Sequence, residues 1–259
     1  MKKLLLTLLP LILLVITSCS ESKNPTDPGT GNEVLMLNSV GSYWINNSVL
    51  TEQPSGAEID STRTIDSVVV TNNGTYAGRQ ASSVVTFVNG VALDTIYINQ
   101  NSNELYSYRA NFGFGSFQLN NWTKEIDYTA SSWKPFNDTA FSNTTIEVDN
   151  NTGITTILNG DLKANSVRGT TSTVKIDGKD YTATEVTTTT KYNFTIKFTI
   201  QGNTVQEFPF IFDSITKSKF VKGIGMVRME TYAVGNGTPN AFVPPFGSLS
   251  SLLRFKKAQ

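Results

Sequence analysis

Residues 192 to 200 read Tyr-Asn-Phe-Thr-Ile-Lys-Phe-Thr-Ile, and this strict period of two constrains the fold more than any other stretch. Tyr192, Phe194, Ile196, Phe198 and Ile200 share one parity, while Asn193, Thr195, Lys197 and Thr199 share the other. Successive side chains of a strand point to opposite faces, so the segment is a half-buried strand with one wet face. The threonine-rich run from Tyr181 to Lys191 leads into it and suits an exposed pleat. Phe208, Phe210 and Phe212 alternate again, and Pro209 between them, lacking an N–H, places that stretch at an edge or a bulge.

Turn dipeptides punctuate these runs. Asn73-Gly74, Asn89-Gly90, Asn159-Gly160 and Asp177-Gly178 lie between β-branched or apolar segments. Both central residues of a type I′ turn need positive φ, which Asn, Asp and Gly tolerate, so each reads as a tight hairpin. Gly202-Asn203 offers the type II′ version. Hairpins in series pair neighbouring strands in sequence order. The fold class expected is all-β: a large curved antiparallel up-and-down meander of about eleven to thirteen strands, with few or no helices. An open twisted sheet rarely exceeds ~10 strands without curling or splitting. Half-barrel, barrel and sandwich all satisfy this pattern. Trp133 to Phe141 has room for one helical turn, and Ser248 to Lys256 reads as a short helix or a closing strand.

The amino-terminal segment obeys a different pattern. Lys2 and Lys3 precede Leu4 to Ile16, an apolar run broken only by Thr7 and Pro10. That length fits a signal peptide and falls short of the roughly 20 residues needed to span a bilayer. Ile16-Thr17-Ser18-Cys19 resembles the bacterial lipobox. The resemblance implies removal of residues 1–18, a diacylglycerol thioether on Cys19, and acylation of the new amino terminus, typically with palmitate. Each buried methylene contributes about 0.8 kcal/mol, so two or three chains anchor stably where one does not. Residues 19–33, with Pro25, Pro28, Gly29 and Gly31, read as a flexible tether. Residues 34–259 read as a single all-β domain. Ser20 is not the aspartate that retains enteric lipoproteins in the inner membrane. An envelope position on the outer membrane, facing periplasm or surface, is therefore the expectation.

Composition removes several function classes. The chain has no histidine and one cysteine, which removes Ser-His-Asp and Cys-His catalysis, histidine-ligated metals and any disulfide. Without Lys2 and Lys3 the mature chain carries two more acids than bases, and no basic stripe marks a nucleic-acid site. Asp149 to Gly153 fails as a calcium loop, because Ile154 stands where the sixth-position glycine is required and Gly160 where the final glutamate belongs. No cofactor, no metal and no enzymatic activity are expected. A hydrolase built on Glu125, Asp127, Glu147 and Asp149 is the remaining catalytic alternative.

Two motifs frame the domain. Gly41-Ser42-Tyr43-Trp44-Ile45 opens it, and Lys222-Gly223-Ile224-Gly225-Met226-Val227-Arg228 lies in a late strand. Together they resemble a group of uncharacterised bacterial envelope lipoproteins that begin with a Gly-Asn-x-Trp-x-Tyr strand and end with a Gly-[Val/Ile]-Gly-x-Val strand. Here Ser42 and Asn46 depart from that pattern. The group is similar in layout to lipoprotein-carrier half-barrels, which implies an acyl chain held on a concave face. Read from the residues alone, Gly41, Trp44, Gly223 and Gly225 form a structural motif, with the Trp44 ring filling the space that the missing side chains leave.

Aromatics cluster between Tyr97 and Trp133. They are core and cross-strand pairs, or else the apolar lining of a lipid site or a stacking surface for sugar. Tyr106, Tyr108, Phe112 and Phe114 share one parity and are the candidate ligand-binding set. Gly113 and Gly115 beside the last two rings suit a mobile lip. The function expected is a membrane-anchored, non-catalytic envelope lipoprotein that binds an apolar or amphipathic ligand or a protein partner. The alternative is a structural or adhesive surface protein. Cys19→Ser tests the anchor by metabolic labelling with an alkyne fatty acid. Wild type incorporates label and the variant does not; equal labelling contradicts the lipoprotein reading.

Overall fold

The computed structural model describes residues 34–109, 113–114, 117–118, 121–149, 152–238 and 242–258. Residues 1–33, which include Cys19 and the segments read above as leader and tether, and Phe112 lie outside them. Among the described residues there are fifteen strands and one 3-10 turn at Asp60–Thr62. The strands are β1 (Tyr43–Glu52), β2 (Thr64–Tyr76), β3 (Arg79–Val88), β4 (Val91–Gln100), β5 (Glu104–Tyr108), β6 (Gly113–Phe114), β7 (Phe117–Gln118) and β8 (Thr123–Asp127). They continue with β9 (Ser132–Trp133), β10 (Thr139–Asp149), β11 (Ile154–Ile176), β12 (Lys179–Ile200), β13 (Asn203–Val221), β14 (Gly225–Gly235) and β15 (Phe246–Lys256). Thirteen form one antiparallel sheet, while β6 and β7 pair with each other. The all-β meander expected from sequence is the fold observed. The 133–141 segment holds no helix, and 248–256 is strand.

Most sheet neighbours are consecutive in sequence; β15 with β1, β5 with β8 and β9 with β11 are not. The path runs β10-β11-β12-β13-β14-β15-β1-β2-β3-β4-β5-β8, so the first and last strands are neighbours, paired from Tyr43–Lys256 to Glu52–Phe246 with a register shift between Ile45 and Asn46. The interruption falls between β8 and β10, and small β9 bridges it by pairing with β11 at Ser166 and Val167. Lys124 N–H donates to the Pro135 carbonyl at 2.8 Å, Trp133 Nε1 donates to the Lys124 carbonyl at 3.0 Å, and Arg168 N–H donates to the Ser131 carbonyl at 2.9 Å. The ladder itself stays open.

The curl of the sheet is readable from distance. β11 and β15 are four strands apart in the sheet order, or about 19 Å in a flat sheet at ~4.8 Å per strand. Residue pairs between them come within 8 Å, so the sheet is strongly curved there.

Two turn readings hold and three do not. Asn89-Gly90 and Asp177-Gly178 are two-residue turns with positive φ at both positions. Asn73-Gly74 lies inside β2, and the turn falls at Ala77-Gly78. Gln201-Gly202 replaces Gly202-Asn203. Asn159-Gly160 lies inside β11, where Gly160 stands in register between Phe141 and Phe194. A Cβ at Gly160 would fall 1.9 Å from the Asn193 carbonyl oxygen. The glycine serves close backbone approach rather than reversal. Pro209 lies beyond the last β13–β14 rung at Phe212–Gly235, so that side of β13 is locally an edge, as its missing N–H requires.

β11, β12 and β13 run for 23, 22 and 19 residues, against a usual five or six. Their length lets them serve two cores. The larger packs Trp44, Val70, Val84, Ile98, Leu105, Ile126, Val186 and Phe220 with Trp133 and Leu252. The smaller packs Phe141, Ile146, Leu158, Leu162 and Phe194 with Tyr192, Ile196 and Phe210, using the alternating parity of β12.

The two framing motifs meet at the larger core. Trp44 Nε1 donates to the Ile224 carbonyl at 2.9 Å, between the two glycines. The space over Gly225 belongs to Met36 rather than to the Trp44 ring: a Cβ there would lie 2.8 Å from Met36 Cγ, and φ is +105°. Gly41 (φ +88°) precedes β1, and Gly223 (φ +81°) turns the chain from β13 into β14. The Gln100 amide holds Met36 from the other side, accepting from Leu35 and Met36 N–H at 2.8 and 2.7 Å and donating to the Met36 carbonyl at 2.9 Å.

The β8 end carries a charged clamp. Lys124 Nζ reaches Glu104 Oε1 at 2.6 Å and Asp127 Oδ2 at 3.1 Å; the Glu104 bond leads in raising the Lys124 ammonium above its ordinary value. Burial pushes the Asp127 carboxyl up, but bonds from the Thr129 hydroxyl and amide, Lys124 and the Ala130 amide outweigh it. The carboxyl is held well below its usual range.

Gly225→Val forces Met36 aside and strains a positive-φ position, and lowers stability by about 1–3 kcal/mol in denaturant titration. An unchanged midpoint contradicts the packing. Asp127 has a depressed folded-state pKa, so its contribution is present above the unfolded value of about 3.9 and is lost as pH falls below it. The stability gap between wild type and Asp127→Asn therefore shrinks from pH 7 towards pH 2. A gap independent of pH contradicts the assignment.

Candidate ligand-binding face

Strand parity decides where the candidate rings point. On β5, Leu105 is 2% exposed in the larger core, so Tyr106 and Tyr108, of the opposite parity, face away from it. On β4, Ile98 is buried in that core, and Tyr97, opposite Tyr108 in register, faces away likewise. Tyr76, at the end of β2, pairs with Arg79 at the start of β3. The outward side chains of four consecutive strands thus converge beside the Ala77-Gly78 turn.

They form a continuous row. Tyr76 and Tyr97 stack at 4.1 Å between centroids, Tyr97 and Tyr108 are 6.2 Å apart, and Tyr108 and Trp122 are 5.5 Å apart. The Arg79 guanidinium lies 4.3 Å from the Tyr106 ring centroid and 5.2 Å from that of Trp122. Lys124 Nζ stands 5.7 Å from the Tyr106 ring. Trp122 Nε1 donates to the Ala77 carbonyl at 3.1 Å, which fixes the indole against the β2–β3 turn. All five rings are half-buried. Gly74 lies under the row, where a Cβ would make ordinary contact with the Tyr76 ring at 3.5 Å, so the packing there does not require a glycine.

The rim of the row is polar. Arg79 Nη1 donates to Asn99 Oδ1 at 3.4 Å, Asn99 Nδ2 donates to the Gln80 carbonyl at 2.8 Å, and Asn72 Nδ2 donates to the Tyr76 hydroxyl at 3.4 Å. Flat apolar faces ringed by amide and guanidinium donors suit an amphipathic partner with a flat face and a hydroxyl edge.

Tyr106 and Tyr108 are thus brought together. Phe114 lies in β6, paired with Phe117 of β7, and its side chain, like all of Phe112, is outside the description. Sequence reasoning passed over Tyr76, Arg79 and Lys124. Their signal was position: Tyr76 and Arg79 flank a two-residue turn, which puts them on one rung.

The four carboxylates raised as a hydrolase set are split between the two sheet edges, with Glu125 and Asp127 on β8 and Glu147 and Asp149 on β10. Burial pushes the Glu125 carboxyl up, and its partner is the Ser107 hydroxyl, which donates to Oε1. Asp127 is engaged in the β8 clamp.

No protein-family model matches the chain, and no curated protein sequence matches it. Two crystal structures are similar to the chain in part. One is a candidate lipoprotein from Parabacteroides distasonis ATCC 8503, 11% identical with a TM-score of 0.45, covering 88% of this chain and all of that one. The other is a candidate exported protein with YmcC-like fold from Bacteroides fragilis NCTC 9343, 14% identical with a TM-score of 0.44, covering 87% of this chain and all of that one. At these scores neither likeness bears on activity.

Proposed function

We propose that the chain is a non-catalytic envelope lipoprotein, tethered to a membrane through acylated Cys19, that contacts glycan through its outward aromatic row. The tether rests on the Ile16-Thr17-Ser18-Cys19 motif and on the polar stretch that follows it. Among the described residues no helix is long and apolar enough to cross a membrane. The observation that carries the binding reading is the Tyr76-Tyr97-Tyr108-Trp122 row with Arg79 set against its rings. A pyranose presents C–H groups on its faces and hydroxyls on its rim, and the row offers rings bordered by Arg79, Asn99 and Asn72.

The interior-carrier reading needs a space that the protein's own side chains leave empty. The larger core is instead packed with Trp44, Trp133, Phe220 and aliphatic side chains, each under 10% exposed. Tyr106 and Tyr108 turn away from that core, so they serve a ligand only from outside.

Co-sedimentation of the purified chain with insoluble envelope polysaccharide tests the proposal. Each aromatic stacking contact is worth about 0.5–1.5 kcal/mol, and 1.4 kcal/mol is a factor of ten. Trp122→Ala combined with Tyr108→Ala therefore lowers apparent affinity by about fivefold or more, with the fold intact by circular dichroism. Wild-type protein that stays in the supernatant, or a variant that binds equally, overturns the glycan reading.

A further inference from the structure

A separate site lies where the sheet curls. Past the bulge between Arg168 and Thr171, β11 and β12 continue as a two-stranded ribbon beyond the last β13 rung at Thr184–Phe220. The end of this ribbon returns towards β15 and encloses a cleft of about 640 Å³. Val174 of the ribbon and Leu252 of β15 supply apolar wall, and β12, β13 and β14 supply the floor.

Register places the floor residues. Glu185, Lys219, Arg228 and Ser251 stand opposite one another on one rung. Thr187, Lys217 and Glu230 stand on the next rung of the same face. Part of this charge is internally matched: Lys219 Nζ lies 3.0 Å from Glu185 Oε1 and donates to Ser172 Oγ at 3.0 Å. Lys217 Nζ sits 5.4 Å from the Tyr232 ring centroid. Among the described residues, neither Lys217 nor Arg228 has a carboxylate within 4.0 Å. Two unmatched cations therefore face the cleft against one carboxylate, Glu230.

The geometry points to a binding site for a small organic anion, its carboxylate or phosphate held by Arg228 and Lys217 and its carbon skeleton against Val174 and Leu252. The volume falls in the ordinary range for small-ligand sites, roughly 300–1,000 Å³. A wholly apolar occupant would strip water from both cations without replacing it. An oxyanion accepts paired hydrogen bonds from the planar guanidinium, the geometry in which arginine exceeds lysine. Glu230, on the rung beside Arg228, weakens any anion bound there.

The test is titration calorimetry of the full-length chain in detergent with inorganic phosphate and, separately, succinate, at ionic strength fixed with chloride. Binding of one or both is expected, and the preferred probe identifies the anionic group. Arg228→Ala weakens it at least tenfold, Glu230→Gln tightens it severalfold, and Trp122→Ala leaves it unchanged, which separates this site from the glycan face. Should Arg228→Ala lose its thermal transition, Glu230→Gln decides alone: unchanged or weakened affinity contradicts the site. Absence of heat with both probes, or a folded Arg228→Ala that binds as wild type does, overturns the proposal.

Discussion

The pairing of β1 with β15 is the constraint on which the rest of the structure depends. A meander of a dozen strands has two bare edges, at its first and last strands, and bare edges invite pairing with other chains. Joining the termini removes both and moves the break to β8 and β10. Those edges are blunted. Small β9 and its flanking hydrogen bonds lie beside β8, and β10 carries register shifts at Phe141–Thr144 and Thr145–Glu147. Bulges of that kind twist an edge away from flat pairing. The junction also explains the framing motifs. β1 brings Trp44 to the Ile224 carbonyl, and the segment before β1 brings Met36 over Gly225.

Curvature then divides the surface into chemically distinct regions. A sheet bent enough to bring β11 near β15 turns one parity of β2 to β5 onto a filled core and leaves the other parity to solvent. The outward parity holds Tyr76, Tyr97, Tyr106 and Tyr108, and the rings partly bury one another because adjacent strands present them on neighbouring rungs. Elsewhere the same bending creates a cleft with a charged floor. A carrier of acyl chains would need apolar parity facing an empty concavity. The apolar parity here is spent on the core.

What was legible in the sequence was local. The alternation from Tyr192 to Ile200 fixed β12, and Asn89-Gly90 and Asp177-Gly178 fixed two turns, because two-residue turns need positive φ within the dipeptide itself. Asn73-Gly74 and Asn159-Gly160 carried the same letters inside strands. Gly160 admits the Asn193 carbonyl of the neighbouring strand, and Gly74 stays inside β2 because the reversal falls at Ala77-Gly78. The β1–β15 contact joins segments some two hundred residues apart, with no local signal. Parity put Tyr106 and Tyr108 on one side correctly, but which side depends on Leu105 meeting the core. Arg79 and Lys124 were invisible for the same reason: a cation over a ring is a cross-strand relation.

The central claim is that the core around Trp44, Trp133 and Phe220 is filled by the protein's own side chains, so that an apolar ligand finds no place there and the aromatic row meets its partner from outside. Titration of the purified chain with an apolar fluorescent dye tests this most directly. The structure predicts no saturable enhancement while the native fold is retained, since Trp44, Trp133 and Phe220 occupy the larger core. Stoichiometric dye uptake by the native protein, displaced by a fatty acid, would show an interior apolar site and contradict the account.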